Sequence, residues 1–262
     1  MLLHKDDPLA VAAVAAIRSG DLESLRRQLD ANPGLAAARI FDDERGAPGS
    51  GRNSWTLLHA ATDWPGHFPS GPESAKALVA AGADVNGRFA GRHRETPLHW
   101  AASCDDVAVL DALLDLGADI EADGAVVAGG TPLDDAVAFG MWYAARRLVE
   151  RGAKTALWHA AALGLMDLVE RHFTKAPLEA RHPWRGGSAR PRDEVTIALW
   201  CACHGGERAA AGYLLSRGAE LNWVSPWDGL TPLDAAERRG AGELVRWLRR
   251  QGAKSAREMP AR

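Results

Sequence analysis

Asp135 and His159 are the residues of this chain with the most specific chemistry to offer. A carboxylate beside an imidazole orients the ring and stabilises its protonated form, which suits a site that moves a proton or holds a small polar ligand. Their meeting is an expectation from repetition. Six segments open alike, at Thr56, Thr96, Thr131, Thr155, Thr196 and Thr231, and the fifth residue of each is Ala60, Trp100, Asp135, His159, Trp200 and Ala235. Residues three and four apart share a helix face, so the eighth and ninth residues join the fifth. These add Asp63 and Trp64, Cys104, Phe139, Cys203 and His204, and Arg238. With neighbouring helices about 8–10 Å apart, Asp135 and His159 would sit between the indole walls of Trp100 and Trp200. The same row read without chemistry is an aromatic groove that grips a peptide, with Asp135 and His159 as polar contacts.

Other constellations weaken on inspection. Cys201, Cys203 and His204 superficially resemble a metal set, yet Cys201 replaces a buried alanine, and Cys104 lies three repeats away, about 25–30 Å at helix-packing spacing. Zinc needs four close ligands, or three and a water, so no metal is expected unless His172 or His182 joins from a loop. The glycines of 123–130 read as turn formers, because no phosphate-loop lysine follows them. Neither a nucleophile elbow nor a dinucleotide fingerprint is present, and no cofactor is expected.

The elements that must position these residues are short helices. Thr96 can cap a helix that accepts Pro97 in its first turn, and a second helix carrying Val107, Leu110, Leu113 and Leu114 ends at Gly117. The closing glycines Gly82, Gly117, Gly152, Gly218 and Gly252 stand 35, 35, 66 and 34 residues apart, so the long gap is two periods. This period, with T-P-L-H-W-A-A at Thr96 and Gly-Ala-Asp at Gly82 and Gly117, resembles the ankyrin repeat. The resemblance implies an all-α solenoid of stacked helix–turn–helix units with hairpin fingers and a concave face that binds partners. Within it His59 and His99 occupy a structural histidine position, which Asp134 and Asp234 replace in two repeats. Units are expected at about 7–40, 55–85, 96–119, 131–153, 155–175, 196–220 and 231–253, in one array over 1–262. In the first, Asp7 caps a helix with Pro8 at its first position.

Three stretches depart from the period: 42–54, polar and glycine-rich, read as a mobile finger; 63–72, whose prolines and glycines lengthen a turn and whose Trp64, His67 and Phe68 should fold back; and 174–195, a lid or a disordered loop. The insertions 63–72 and 174–195 would close the groove into a pocket if the chain binds a small molecule. Ten tryptophans exceed the two tyrosines and five phenylalanines together, and a rigid apolar body with an N–H donor suits contact surfaces. Trp64, Trp100, Trp184, Trp200, Trp223 and Trp227 are groove, loop or finger candidates, while Trp142 and Trp247 fall on second helices as core or cap.

With 262 residues, 47% hydrophobic and 25% charged, the chain has the composition of a soluble protein able to bury a continuous core. A net charge of −3 argues against nucleic acid or an anionic membrane as main partner, and no apolar run is long enough to span a bilayer. The cluster Arg246, Arg249 and Arg250 reads as the solvated face of a terminal helix. Three cysteines without a secretory start fit a reducing cytoplasm. The expected function is therefore a monomeric cytoplasmic scaffold for a protein or peptide partner; the alternative is a small-molecule-binding protein or enzyme using Asp135 and His159.

Overall fold

The computed structural model describes residues 1–45, 52–175, 177–178 and 191–259. Trp184 and His182 lie outside them. The chain divides into two compact units, Met1–Ala153 and Lys154–Arg262.

Four helix pairs make up most of the first unit: α1 (Pro8–Ser19) with α2 (Leu22–Ala31), α3 (Leu57–Thr62) with α4 (Gly71–Ala80), α5 (Pro97–Ser103) with α6 (Val107–Asp115), and α7 (Pro132–Phe139) with α8 (Trp142–Glu150). The first helices pack in series, α1 on α3 on α5 on α7, and the second helices do the same, α2 on α4 on α6 on α8. Alanines allow this close approach. Ala61, Ala101 and Ala136 are fully buried between first helices, and Leu58, Leu98, Leu110, Leu113 and Leu148 fill the space towards the second row. Each such leucine is worth about 1.5–3 kcal/mol of apolar burial.

Caps set where each pair begins and ends. Asp7 accepts from the Leu9 amide at the start of α1. The Thr96 amide donates to His99 Nδ1 at 3.1 Å, and His99 Nε2 donates to the Gly130 carbonyl at 3.4 Å, tying α5 to the chain entering α7. His59 does the same between Thr56 and the Glu95 carbonyl, at 3.3 and 3.2 Å. Where aspartate replaces this histidine the threonine amide still donates, to Asp134 from Thr131 and to Asp234 from Thr231, and the threonine hydroxyl donates to the same carboxylate, at 2.8 Å in both repeats. The closing glycines Gly82, Gly117, Gly152, Gly218 and Gly252 all lie at φ between 89° and 99°, where a Cβ would be strained.

Helices predominate, and a small sheet stands beside them that an all-helical reading did not contain. Strands β1 (Leu2–His4), β2 (Arg39–Arg45) and β3 (Arg52–Thr56) lie in the order β1-β2-β3, with β1 parallel and β3 antiparallel to β2. Much of the presumed mobile finger at 42–54 is thus strand. Arg39 fastens it: Nε donates to Ser54 Oγ at 3.0 Å, and a guanidinium nitrogen donates to the carbonyls of Ser54 and Arg88 at 2.7 and 2.9 Å.

The second unit holds α9 (Leu157–Ala162), α10 (Met166–Thr174), α11 (Pro191–Gly205), α12 (Arg208–Ser216), α13 (Pro232–Arg239), α14 (Gly242–Arg250) and a 3₁₀ turn at Ala256–Glu258. α11 packs between α9 and α13. Two starts differ from the sequence reading. The cap of α9 is Ala156, not Thr155. Thr196 lies inside α11, which begins at Pro191, and its hydroxyl accepts from the Glu220 amide at 3.0 Å. Among the described residues no helix is long and apolar enough to cross a membrane.

Candidate functional site

In the first unit a cleft of about 620 Å³ opens between the sheet and the first helices. The sheet supplies one wall through strand alternation: Ile40 and Asp42 point to the same face of β2, and Trp55 is the cross-strand partner of Ile40. Val11, Val14, Ala15 and Arg18 of α1 form the opposite wall. The floor is Ala60 of α3 with Trp100 of α5 and Phe89 from the connection between α4 and α5. Its rings touch. Trp100 lies 4.9 Å from His59 edge-on and 5.7 Å from Phe89, so the indole is held by its neighbours before anything binds.

Four charged groups line the cleft: Lys5, Arg18, Asp42 and Asp63. Arg18 is paired with Asp63 at 2.7 Å, and Asp63 also accepts from the Trp64 amide. Asp42 accepts from the Glu44 amide. Lys5 is exposed and forms no ion pair among the described residues. Behind the floor Glu95 is 8% exposed, and burial pushes its carboxyl up to about 7 against the opposing bond from the Trp100 side chain.

Asp135 and His159 are both fully buried, and each is engaged within its own unit. The Asp135 carboxylate accepts from the amides of Val126 and Val127 at 3.2 and 3.0 Å. Burial drives its pKa up to about 7; the bond from Val127 lowers it, and the charge of Glu95 adds to the rise. His159 Nδ1 accepts from the Ala156 amide at 3.0 Å. That is the bond His59 and His99 make to their own caps, so His159 stands at the structural histidine position, and the residue matching Asp135 in distance from the cap is Ala160. Gly164 stands eight positions after the cap Ala156, against nine from Thr131 to Gly140, and this one-residue deletion displaced the register counted from Thr155.

The other singled-out residues separate into exposed, half-buried and buried. Trp64 is 76% exposed, against the expectation that it folds back; its loop is held by His67, whose amide donates to Asp106 at 2.7 Å, and by Phe68 beneath Arg18. Phe139 is 43% exposed and Cys104 half-buried. Cys203 is fully buried beside Cys201, so it is a core residue and not a contact residue, and burial pushes both thiols up. Among the described residues no three metal-ligating side chains come together. In the second unit Trp200, Trp223, Trp227 and His204 form a cluster. Trp227 lies edge-on to Trp200 and Trp223 at 5.0 and 5.3 Å, and Trp200 lies 5.3 Å from His204. Trp200 Nε1 donates to the Leu230 carbonyl, and Arg238 covers the indole at 5.5 Å while pairing with Asp228 at 2.9 Å. This cluster is already occupied by its own cation.

Sequence reasoning missed Lys5, Trp55, Phe89 and Glu95. Their signal was the alternation of Ile40, Asp42 and Trp55, hidden because 42–54 reads as glycine-rich loop.

Paired short helices in series, threonine and histidine caps and glycine stops define an ankyrin repeat architecture. The family model described as Ankyrin repeats (3 copies) matches residues 12–123 and 70–157, together more than half the chain, and the chain belongs to that family. It is similar to Rabankyrin-5 of Homo sapiens, 28% identical over 291 residues that cover 96% of this chain and 24% of the relative. Rabankyrin-5 of Mus musculus is 30% identical over 239 residues, 77% of this chain and 20% of the relative. The chain thus spans about a quarter or less of the length of these curated relatives.

Proposed function

We propose that this chain is a partner-binding ankyrin module, a monomer of the cytoplasm, and that its cleft in Met1–Ala153 grips a protein segment. Ankyrin repeats generally mediate protein–protein interaction. The observation that carries the reading is the cleft itself: three large rings, Trp55, Phe89 and Trp100, line one hollow, whereas the exposed rings of Trp64, Phe139 and Tyr143 in the same unit lie outside it. Preformed aromatic hollows are where binding energy concentrates, because rigid rings lose little entropy on contact. The single array of seven units belongs to the same proposal, as does a reducing environment for the three free cysteines.

A small-molecule ligand is the second reading. It draws on the volume, about 620 Å³, which falls within the roughly 300–1,000 Å³ usual for such sites, and no longer on Asp135 and His159, whose polar atoms serve their own repeats. The test is Ala15→Trp, on the exposed side of α1 facing the cleft. Peptides selected by display on the full chain should lose binding to the variant by about a hundredfold, as expected when a hot-spot hollow is filled. Unchanged binding of every selected peptide would overturn the proposal.

A further inference from the structure

Resting on that reading of the cleft, we propose that its grip is linked to a proton: the chain holds a partner's apolar side chain tightly while the Glu95 carboxyl behind Trp100 is protonated, and loosens as that proton is lost. One residue stands behind the rings of the floor. The Phe89 amide donates to the Glu95 carbonyl at 2.7 Å, His59 Nε2 donates to the same carbonyl at 3.2 Å, and the Trp100 side chain bonds to the Glu95 carboxyl. Phe89 and Trp100 line the cleft, and His59 lies edge-on to Trp100. Glu95 is buried and forms no ion pair among the described residues. A buried carboxyl without a cation favours its neutral form, and burial pushes this one up to about 7.

The surrounding charged and titratable groups leave that balance in place. The guanidinium of Arg39, on β2, is engaged by Ser54 and the Arg88 carbonyl. His59 of α3 and His99 of α5 are pushed down by burial to about 3 and about 4, so both are neutral above pH 6. In the connection before α5, Arg88 pairs with Asp123 at 2.9 Å, Arg92 and Arg94 are exposed, and His93 is lowered by burial and by Arg92. Asp135 of α7 is a second buried acid, and the charge of Glu95 adds to the rise of its pKa, so the two disfavour each other's ionisation. On the cleft side Lys5 and Arg18 stand against Asp42 and Asp63, two charges of each sign.

Occupancy couples to the proton through Trp100, which lines the cleft and bonds the acid. A partner that displaces the cleft's water removes solvent beside this indole. An ionised Glu95 loses hydration with it, whereas the neutral acid has no charge to desolvate. The occupied chain therefore keeps its proton to higher pH than the free chain. By linkage, affinity is whole below about pH 7 and falls as pH rises above it.

The experiment uses the full chain and a display-selected peptide that is blocked at both ends and contains no Asp, Glu, His or Cys. Its affinity is measured by fluorescence polarisation from pH 6 to pH 8.5 for the parent and for Glu95→Gln, with urea midpoints at both limits to establish that each protein is folded. The parent should lose about fivefold or more in affinity across that range, while Glu95→Gln stays within about twofold of its own value at pH 6. Calorimetry of binding at pH 8 in two buffers of different ionisation heat should show proton uptake by the parent and none by Glu95→Gln. Peptides that lose binding on Ala15→Trp, yet bind the parent equally at both limits or keep the fall in Glu95→Gln, would overturn the inference and leave the cleft reading intact. Peptides insensitive to Ala15→Trp would overturn both.

Discussion

Glu95 is an acid kept under the floor of the cleft, where burial pushes its carboxyl up to about 7 and the Trp100 indole bonds to it. A carboxyl raised above its ordinary value favours the folded state in its neutral form, so its contribution is whole below about pH 4.5 and is lost as pH rises through about 7. His59 and His99 act in the other sense. Burial pushes them down to about 3 and about 4, so they contribute above about 6.5 and lose that contribution as pH falls towards those values. The variant Glu95→Gln isolates the acid, since glutamine is neutral and still offers the indole an acceptor. We expect Glu95→Gln to be more stable than the parent by about 2–3 kcal/mol at pH 8 and equal to it near pH 4.5, read from urea midpoints at both values. A constant difference across that range would refute the assignment. His159 makes a second residue-scale expectation. As a cap partner, fully buried, its replacement in His159→Ala should cost about 2 kcal/mol of stability and leave peptide affinity of the folded protein unchanged. A loss of affinity with stability intact would instead return it to a ligand site.

At the scale of elements, the second unit depends on how closely α9 and α11 approach. A Cβ at Gly205 would run into the Ala162 carbonyl, a backbone group that cannot swing away, so Gly205→Ala should cost more than about 2 kcal/mol. Gly240 gives the comparison. It has open space around it and only a left-handed φ of 75° to lose, so Gly240→Ala should cost about 1 kcal/mol by thermal unfolding. The same contrast explains what the sequence made legible. Caps, glycine stops and leucine stripes are local, and the pairs from α1 to α8 and from α12 to α14 could be read from them. The start of α9 could not, because one deleted residue leaves the threonine in place and moves the cap to Ala156. Nor could the sheet, since β1 and β2 are about 35 residues apart in sequence and their pairing is a tertiary event. With the sheet hidden, Trp55 and Lys5 had no recognisable wall to stand in, and of the cleft only Ala60, Asp63 and Trp100 stood in the row read in advance.

For the molecule as a whole, ankyrin repeats generally mediate protein–protein interaction, and the place proposed for it rests on the distribution of side chains. Ten tryptophans are spread through the chain, yet they are unequal in what they offer. Trp158 is 2% exposed, Trp200 is covered by Arg238, Trp64 stands in water, and Trp55 and Trp100 line the cleft. That inequality makes the indole N–H resonances a direct report of where a partner lands. The decisive measurement is a titration of the ¹⁵N-labelled full chain with a display-selected peptide, following those resonances after each is assigned by single Trp→Phe replacement. The account expects the Trp55 and Trp100 signals to shift in step with binding while Trp158 and Trp247 stay fixed. Shifts confined to Trp64, or to Trp223 and Trp227, with Trp55 and Trp100 unmoved, would contradict it.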